Sequence, residues 1–286
     1  MDSPRSPAVA GQFYAATGAE LARQLERSFL DPRGPGELPV RHRSPTRSLR
    51  AAVVPHAGYE FSGPIAAHAY SLIAAQKAPD TVLILGVDHH GLGRGAALSD
   101  RAWLTPLGPT AVDHDLVRAL AKPPLEVDEE AHRQEHSIEV QLPFLEYVVP
   151  RPKFVALQVR FGSFDSLLKI ARVVRAATSG RDVLLLASTD FSHYVPARTA
   201  ERLDRLAIEA ILARDPRLLY DTVAENDISM CGIAPTTVLL AVLADEPLSV
   251  RLLRWGHSGE AQPMREVVGY ASIALESTVA PAPPVK

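Results

Sequence analysis

The chain has 286 residues, of which 47% are hydrophobic and 22% charged, and its formal net charge is −3. This composition is that of a globular protein and excludes long disordered or collagen-like segments. The near-neutral charge gives no electrostatic reason to expect nucleic acid or an anionic membrane as a partner. The chain has ten histidines but only one cysteine, so an internal disulfide framework is excluded as well.

The sequence predicts neither a signal peptide nor a membrane span. The N-terminal residues contain no basic stretch followed by an apolar run, which a signal peptide requires. The longest apolar run, residues 233–244, is interrupted by Pro235 and is too short to cross a bilayer. We therefore expect a cytoplasmic protein.

Predicted strands and helices alternate along the chain. Leu21, Leu25 and Phe29 recur at helical spacing, and residues 31–48, rich in Pro, Gly and Arg, are predicted to form a surface loop rather than a basic patch. Apolar runs predict strands at residues 49–54, 81–87, 154–159, 183–187, 250–255 and 267–275. Helices are predicted at residues 64–75, 164–177, about 197–213 and 216–224, and another begins near Cys231.

This alternation predicts an α/β fold. Strands that are apolar throughout are buried on both faces, which favours a mixed, mostly parallel central sheet covered by helices on both faces. The sequence contains no internal repeat and no long linker, so residues 1–286 are interpreted as a single domain that ends in a flexible tail at residues 277–286.

Three of the predicted strands are each followed by a histidine, in one case together with an aspartate. His56 follows the first strand, His89 and His90 follow the second, and Asp190 and His193 follow the strand at 183–187. Because ligands bind outside the carboxyl ends of strands in open α/β sheets, these side chains are expected to converge. The pattern favours a metal site or an acid–base site over isolated loop histidines.

Cys231 lies just before a predicted helix whose first turn contains Pro235. A helix N-terminus lowers the pKa of a thiol and favours the thiolate, which ligates metals or attacks substrates. An inert, packed cysteine is an equally good interpretation of this residue by itself.

Residues 135–139 form a further polar cluster, which begins the apolar-periodic run Ile138, Leu142 and Leu145 and is therefore predicted to start a helix. His136 and Glu139 are three residues apart, so on a helix they share a face and can hydrogen-bond to each other or point into the same cavity. Alternatively, the acidic groups lie near the positive end of a helix dipole at its N-terminus. His132, Glu135 and His136 also match the weak H-x-x-E-H pattern of inverted zincins, which leaves a metallohydrolase as a minor alternative.

Taken together, these motifs resemble the Memo family, whose prokaryotic members are named AmmeMemoRadiSam system protein B. The resemblance covers residues 7 to 275, and its elements are PAVAGQFY at 7–14, PHAGY at 55–59, SG at 62–63, LG at 85–86, HHG at 89–91, EHSIE at 135–139, LP at 142–143, DFSH at 190–193 and CG at 231–232.

The resemblance implies a fold similar to the class III extradiol dioxygenases, in which two histidines and one glutamate hold a non-haem iron. It implies that His56 and His89 are metal ligands and that Cys231 replaces the carboxylate. Asp190 and His193 match further pocket residues, with His193 similar to the acid–base histidine. His136 and Glu139 belong to a family motif and are expected beside the ligands; together with Asp190 and His193 they are the candidate catalytic residues.

The function that the resemblance implies is that of an iron-binding or copper-binding redox protein, or of a dioxygenase-like oxidoreductase, with an unidentified substrate. A small molecule or dioxygen is the expected ligand, and a radical S-adenosylmethionine protein is the expected partner. The alternative is a non-enzymatic protein that uses the same cleft to dock a partner.

Overall fold

The computed structural model describes residues 3–41 and 44–279. Within them, helices are formed by α1 (Gly18–Leu30), α2 (Gly63–Ala75), α3 (His114–Leu120), α4 (Glu129–His132), α5 (Gln141–Val148), α6 (Phe164–Thr178), α7 (Ala197–Leu212), α8 (Pro216–Glu225) and α9 (Ile233–Val242). The strands are β1 (Leu49–Val54), β2 (Thr81–Val87), β3 (Ala96–Ser99), β4 (Trp103–Thr105), β5 (Gly108–Val112), β6 (Glu126–Val127), β7 (Lys153–Val159), β8 (Val183–Ser188), β9 (His193–Val195), β10 (Leu248–His257) and β11 (Val267–Ser277).

The strands form one mixed sheet with the order β10-β11-β1-β8-β2-β7-β3-β6. Its centre, β1, β8, β2 and β7, is parallel, whereas β11 joins β1 and β3 joins β7 in antiparallel pairs. Every residue of β2 and β8 is buried, as their continuous apolar sequences predict. The prediction of a single α/β domain with a mixed, mostly parallel sheet is therefore confirmed.

Two groups of helices cover the sheet. One group is centred on α2, which packs on β1, β10 and β11 and contacts α1 and α5. The other is centred on α9, which packs on β8 and β2 and contacts α6 and α8. All ten residues of α9 are buried, which explains why its sequence is apolar on every face.

The main difference from the predicted elements lies between residues 96 and 132. Four short strands, β3 to β6, and two short helices, α3 and α4, occupy this stretch, where the sequence predicts no elements. The strands are two to five residues long, so their hydrophobic pattern is too brief to show a period of its own.

At the C-terminus, β11 runs to Ser277, the first residue of the predicted tail, and residues 280–286 of that tail lie outside the described residues. Residues 31–41 and 44–48 contain neither helix nor strand. Among the helices of residues 3–41 and 44–279, none combines the length and the apolar character that a bilayer span requires.

Candidate metal centre

The chain segments that follow β1, β2 and β8 lie side by side at one edge of the sheet. The register pairs Val54 of β1 with Ser188 of β8, and Leu85 of β2 with Ala187 of β8, so the three carboxyl ends meet there. His56 and His89 lie just beyond two of these ends, with their ring centroids 5.3 Å apart.

His136 completes a cluster of three imidazoles. Its ring centroid is 5.5 Å from that of His56 and 4.7 Å from that of His89, on which it stacks with an interplanar angle of 15°. One ligand nitrogen from each of the three residues lies within 4.8 Å of the other two, an arrangement that could hold a metal ion. His90, Glu135 and His136 form a second group that meets the same distance limit.

The hydrogen bonds of Ser188 determine which nitrogen of His56 carries the proton. The Ser188 hydroxyl donates its only hydrogen to the carbonyl oxygen of Ser137 (2.7 Å) and accepts from the side-chain amide of Gln141 (2.8 Å). It must therefore accept from Nδ1 of His56, 2.9 Å away, because a hydroxyl has one hydrogen to give. Nε2 of His56 is left with a free lone pair, as a metal ligand requires.

A carboxylate orients His89 in the same way. Nδ1 of His89 donates to Oε1 of Glu135 (2.9 Å), and the backbone N–H of His89 donates to Oε2 of the same carboxylate (2.8 Å). This is the carboxylate–histidine arrangement that accompanies metal-ligating histidines, and it leaves Nε2 of His89 available.

The ionisation of the cluster suits a cation site. Burial lowers the pKa of His136 to about 4 and that of His56 well below its ordinary value, so both imidazoles are neutral near pH 7. Burial alone would raise the pKa of Glu135, but the hydrogen bond and charge of His89 hold it well below its usual range. Burial by itself would lower the pKa of His89. The hydrogen bond and the negative charge of Glu135 have the larger effect, so the pKa of His89 is raised.

Cys231 lies on the opposite side of His56 from Ser188. Its Sγ is 3.3 Å from Nε2 of His56 and accepts a hydrogen bond from the backbone N–H of Asp190 (3.2 Å). Burial raises the pKa of the Cys231 thiol, and the charge of Asp190 raises it further, so without a metal the group is a thiol that can donate its hydrogen to Nε2 of His56. The expected lowering of this pKa by the α9 N-terminus is outweighed by burial.

A glycine allows Cys231 to approach the end of β8. A Cβ atom on Gly232 would lie 2.2 Å from Cβ of Thr189 and 2.8 Å from the carbonyl oxygen of Ser188, so only glycine fits at the start of α9. The backbone N–H of Gly232 donates to Oγ1 of Thr189 at 2.9 Å, which fixes the cysteine beside His56.

Asp190 and His193 lie on the β8 side of the cluster. Oδ1 of Asp190 accepts the backbone N–H of His56 at 2.8 Å, and burial raises the pKa of this carboxyl to about 6 although the N–H groups and the nearby His193 and His89 lower it. Nδ1 of half-buried His193 donates to the carbonyl oxygen of Ser229 (2.8 Å), which leaves its Nε2 free.

The segment that carries Glu135 and His136 is a turn, and the prediction that it forms the first part of a helix is wrong. Helix α4 ends at His132 and α5 begins only at Gln141. A Cβ atom on Gly86 would lie 2.4 Å from Cγ1 of Ile138, so this glycine lets the turn pack directly on the end of β2. His136 and Glu139 therefore do not share a helix face.

Glu139 makes contacts other than those expected of a pocket residue. Its carboxylate accepts hydrogen bonds from Arg5 (2.7 Å), from the backbone N–H groups of Ala8 (2.8 Å) and Val9 (3.0 Å), and from the hydroxyl of Tyr14 (2.7 Å). It therefore anchors the N-terminal segment, whose Phe13 ring lies 4.7 Å from that of His136. The catalytic role predicted for Glu139 has no support in these contacts.

The metallohydrolase alternative is not supported by the position of His132. This side chain is fully buried, its Nε2 donates to the carbonyl oxygen of Ala97 (3.2 Å), and its ring lies edge-on to Trp103. Neither of the metal-capable groups found in the described residues includes His132. The three residues also do not lie on one helix, as the inverted zincin motif would require.

His132 should instead make the protein sensitive to acid. Burial, together with the nearby positive charge of Arg5, lowers its pKa to about 4, so the folded state keeps it neutral while the unfolded state takes up a proton below about pH 6.5. Stability is therefore lost as the pH falls, by about 2 kcal/mol from this group between pH 7 and pH 5. In urea unfolding of metal-free protein, His132→Gln should remove that part of the pH dependence; an unchanged pH dependence would contradict this assignment.

Several residues that organise the site carry no motif of their own. Ser188 and Gln141 fix the tautomer of His56, and Arg5 holds the turn that carries Glu135. Ser188 could have been predicted, because it is the last residue of the buried strand β8, which pairs with β1, the strand that ends near His56. Arg5, more than 120 positions from its partners, gives no such signal.

The fold and the site together define a single-domain α/β protein with a histidine cluster, able to hold a metal, at the carboxyl ends of its parallel strands. The Memo-like protein family matches residues 5–274, nearly the whole chain. The chain belongs to this family, as the sequence motifs predict.

Curated relatives agree over almost their full length. The chain is 41% identical over 279 residues to a MEMO1 family protein of Methanopyrus kandleri, covering 95% of this chain and 98% of that protein. It is 38% identical over 285 residues to one of Methanococcus maripaludis (95% and 99%) and 40% identical over 278 residues to one of Sulfolobus acidocaldarius (94% and 98%).

Proposed function

We propose that this protein is a redox protein that binds one non-haem iron or copper ion through His56, His89 and Cys231. Two imidazoles and one thiolate form a donor set that suits Cu(I), Fe(II) or Zn(II), because sulfur selects softer metals than a carboxylate does. Iron and copper are the members of this group that can carry electrons, and they are therefore the metals of the proposal.

The observation that carries the proposal is the contact between Cys231 and His56. The sulfur and the unprotonated Nε2 are 3.3 Å apart. Nitrogen and sulfur ligands bound to one ion at about 2.1 Å and 2.3 Å are separated by roughly 3–4 Å, so the two atoms have the spacing of co-ligands. His89 also has a free Nε2, because Glu135 binds its Nδ1. In this structure His136, and not Cys231, completes the group of ligand atoms within 4.8 Å of one another around His56 and His89, so Cys231 would have to move closer to His89 to bind the same ion.

The charge of Glu135 also favours a cation. The side chain is fully buried, and in the described residues its ion-pair partners are the imidazoles of His89 and His136. A buried carboxylate without a compensating positive charge is costly. With His89 neutral, as a ligand must be, a metal ion bound to His89 would supply that charge.

The residues beside the ligands indicate how a bound molecule would be handled. A bound iron or copper ion would supply electron transfer and an open position for a small molecule or dioxygen. Nε2 of His193 is free to accept a proton from such a molecule, because Nδ1 is fixed by Ser229. Asp190 orders the backbone of His56 and stands next to Cys231. The radical S-adenosylmethionine partner remains a prediction from the family resemblance.

Metal analysis of protein isolated without oxygen, followed by substitution with Co(II), tests the proposal. Cys231 is the only cysteine in the chain, so any sulfur-to-cobalt charge-transfer band must come from it. We expect Cys231→Ser to lose this band and to bind Co(II) at least ~100-fold more weakly, since it removes a direct ligand. Unchanged affinity in Cys231→Ser, together with lost affinity in His136→Ala, would assign the third ligand to His136 instead.

A further inference from the structure

The second metal-capable group, formed by His90, Glu135 and His136, lies on the solvent side of the proposed centre. His90 is exposed and His136 is partly exposed, whereas His56 is only 2% exposed. A hydrated ion from solution can therefore reach His90 before it can reach His56.

The donor atoms of this outer group are suited to a divalent metal. Two imidazoles and a carboxylate are ligands that Zn(II), Co(II) and Fe(II) accept. Oε1 of Glu135 already accepts hydrogen bonds from Nδ1 of His89 and from the backbone N–H groups of His136 and Ser137. Oε2 accepts only from the backbone N–H of His89 among the described contacts, so it retains a lone pair for an ion.

The outer group is connected to His56 and His89 through His136 and Glu135. His136 belongs to the outer group and also lies within 4.8 Å of the ligand atoms of His56 and His89. Glu135 belongs to the outer group and also holds His89 in its ligating orientation. Donor atoms therefore follow one another closely from the outer group through His136 to His89.

We infer that His90, Glu135 and His136 form a loading position, which captures a divalent metal ion from solution and passes it through His136 to His56, His89 and Cys231. The inference rests on the proposed function, because it needs the inner site as the destination. It explains the position of His136, which belongs to both metal-capable groups although the ligands of our proposed centre are His56, His89 and Cys231. The ion keeps its charge throughout, and no electron transfer is involved.

Rapid mixing of the metal-free full-length protein with Co(II), followed by absorption spectroscopy, tests the inference. In the unmodified protein we expect a fast phase without a thiolate band, followed by a slower phase in which the band from Cys231 develops. His90→Ala should lose the fast phase and form the thiolate band at least 10-fold more slowly. Its final affinity for Co(II) should remain within two-fold, because His90 is not an inner ligand.

His114→Ala is the matched control, since His114 is also exposed but lies at the other edge of the sheet. It begins α3 just after β5, whose Val112 pairs with Phe154 near the amino end of parallel β7. This variant should load like the unmodified protein. A fast phase and a loading rate that are unchanged in His90→Ala would overturn the inference.

His56→Ala separates this inference from the proposed function. If both are right, the variant keeps the fast phase and loses the thiolate band. If the thiolate band develops normally in His56→Ala, the proposed inner site is wrong, and the loading position then has no destination. If the fast phase is lost in His56→Ala but kept in His90→Ala, the outer group is not the capture site.

Discussion

Arg5→Ala is expected to lower the free energy of unfolding by about 3–5 kcal/mol, because it leaves the buried Glu139 carboxylate without its cation. The guanidinium donates to Glu139 at 2.7 Å, and both side chains are almost completely buried. It also donates to the carbonyl oxygens of His132 and Glu135, each at 2.7 Å, and lies 4.1 Å above the ring of Trp103. No single replacement side chain can make all of these contacts.

Urea denaturation of the variant against the unmodified protein measures this effect. Arg133→Ala is the matched control, because Arg133 pairs with Glu130 on the surface, and exposed pairs of this kind contribute little to stability. If Arg5→Ala fails to fold, the double variant Arg5→Met/Glu139→Gln should recover part of the stability by removing the unpaired charge. Equal losses in Arg5→Ala and Arg133→Ala would show that the buried pair does not stabilise the fold.

The fold could be predicted from the sequence because its central strands have an extreme pattern. β2 and β8 are apolar at nearly every position, and such runs have few alternatives to a central parallel strand. The convergence of His56, His89 and Asp190 follows from the same topology, since residues that follow neighbouring parallel strands must meet at one edge.

What could not be predicted depends on contacts distant in sequence. The apolar period of Ile138, Leu142 and Leu145 favours a helix that begins near residue 135, but Arg5 and Glu139 tie residues 135–139 to the N-terminal segment. Gly86 lets this segment pack as a turn, and the helix begins only at Gln141. The tautomer of His56 likewise depends on Ser188, Ser137 and Gln141 together, which are brought near it only by the folded sheet. Local periodicity contains no information on either arrangement.

Glu135→Gln is expected to weaken metal binding by about 10–100-fold, the usual effect of removing the carboxylate that orients a ligating histidine. The carboxylate of Glu135 accepts four hydrogen bonds, all from N–H groups of the protein. Gln is nearly the same size, but its amide nitrogen carries hydrogens and would face one of these N–H donors instead of accepting from it. One buried donor is thereby left unpaired, which should also lower the free energy of unfolding by about 1–3 kcal/mol.

The ionisation of His89 distinguishes this orienting role from a general loss of stability. Burial lowers the pKa of His89, and the hydrogen bond and charge of Glu135 outweigh that effect and raise it. In metal-free Glu135→Gln the effect of burial is unopposed by Glu135, so the pKa of His89 should fall and its neutral form should persist to lower pH. Titration of the His89 ring by nuclear magnetic resonance measures this change, with the exposed Glu130→Gln as the control. A variant with weaker metal binding but an unchanged His89 titration would mean that Glu135 acts on the ion directly and not through His89.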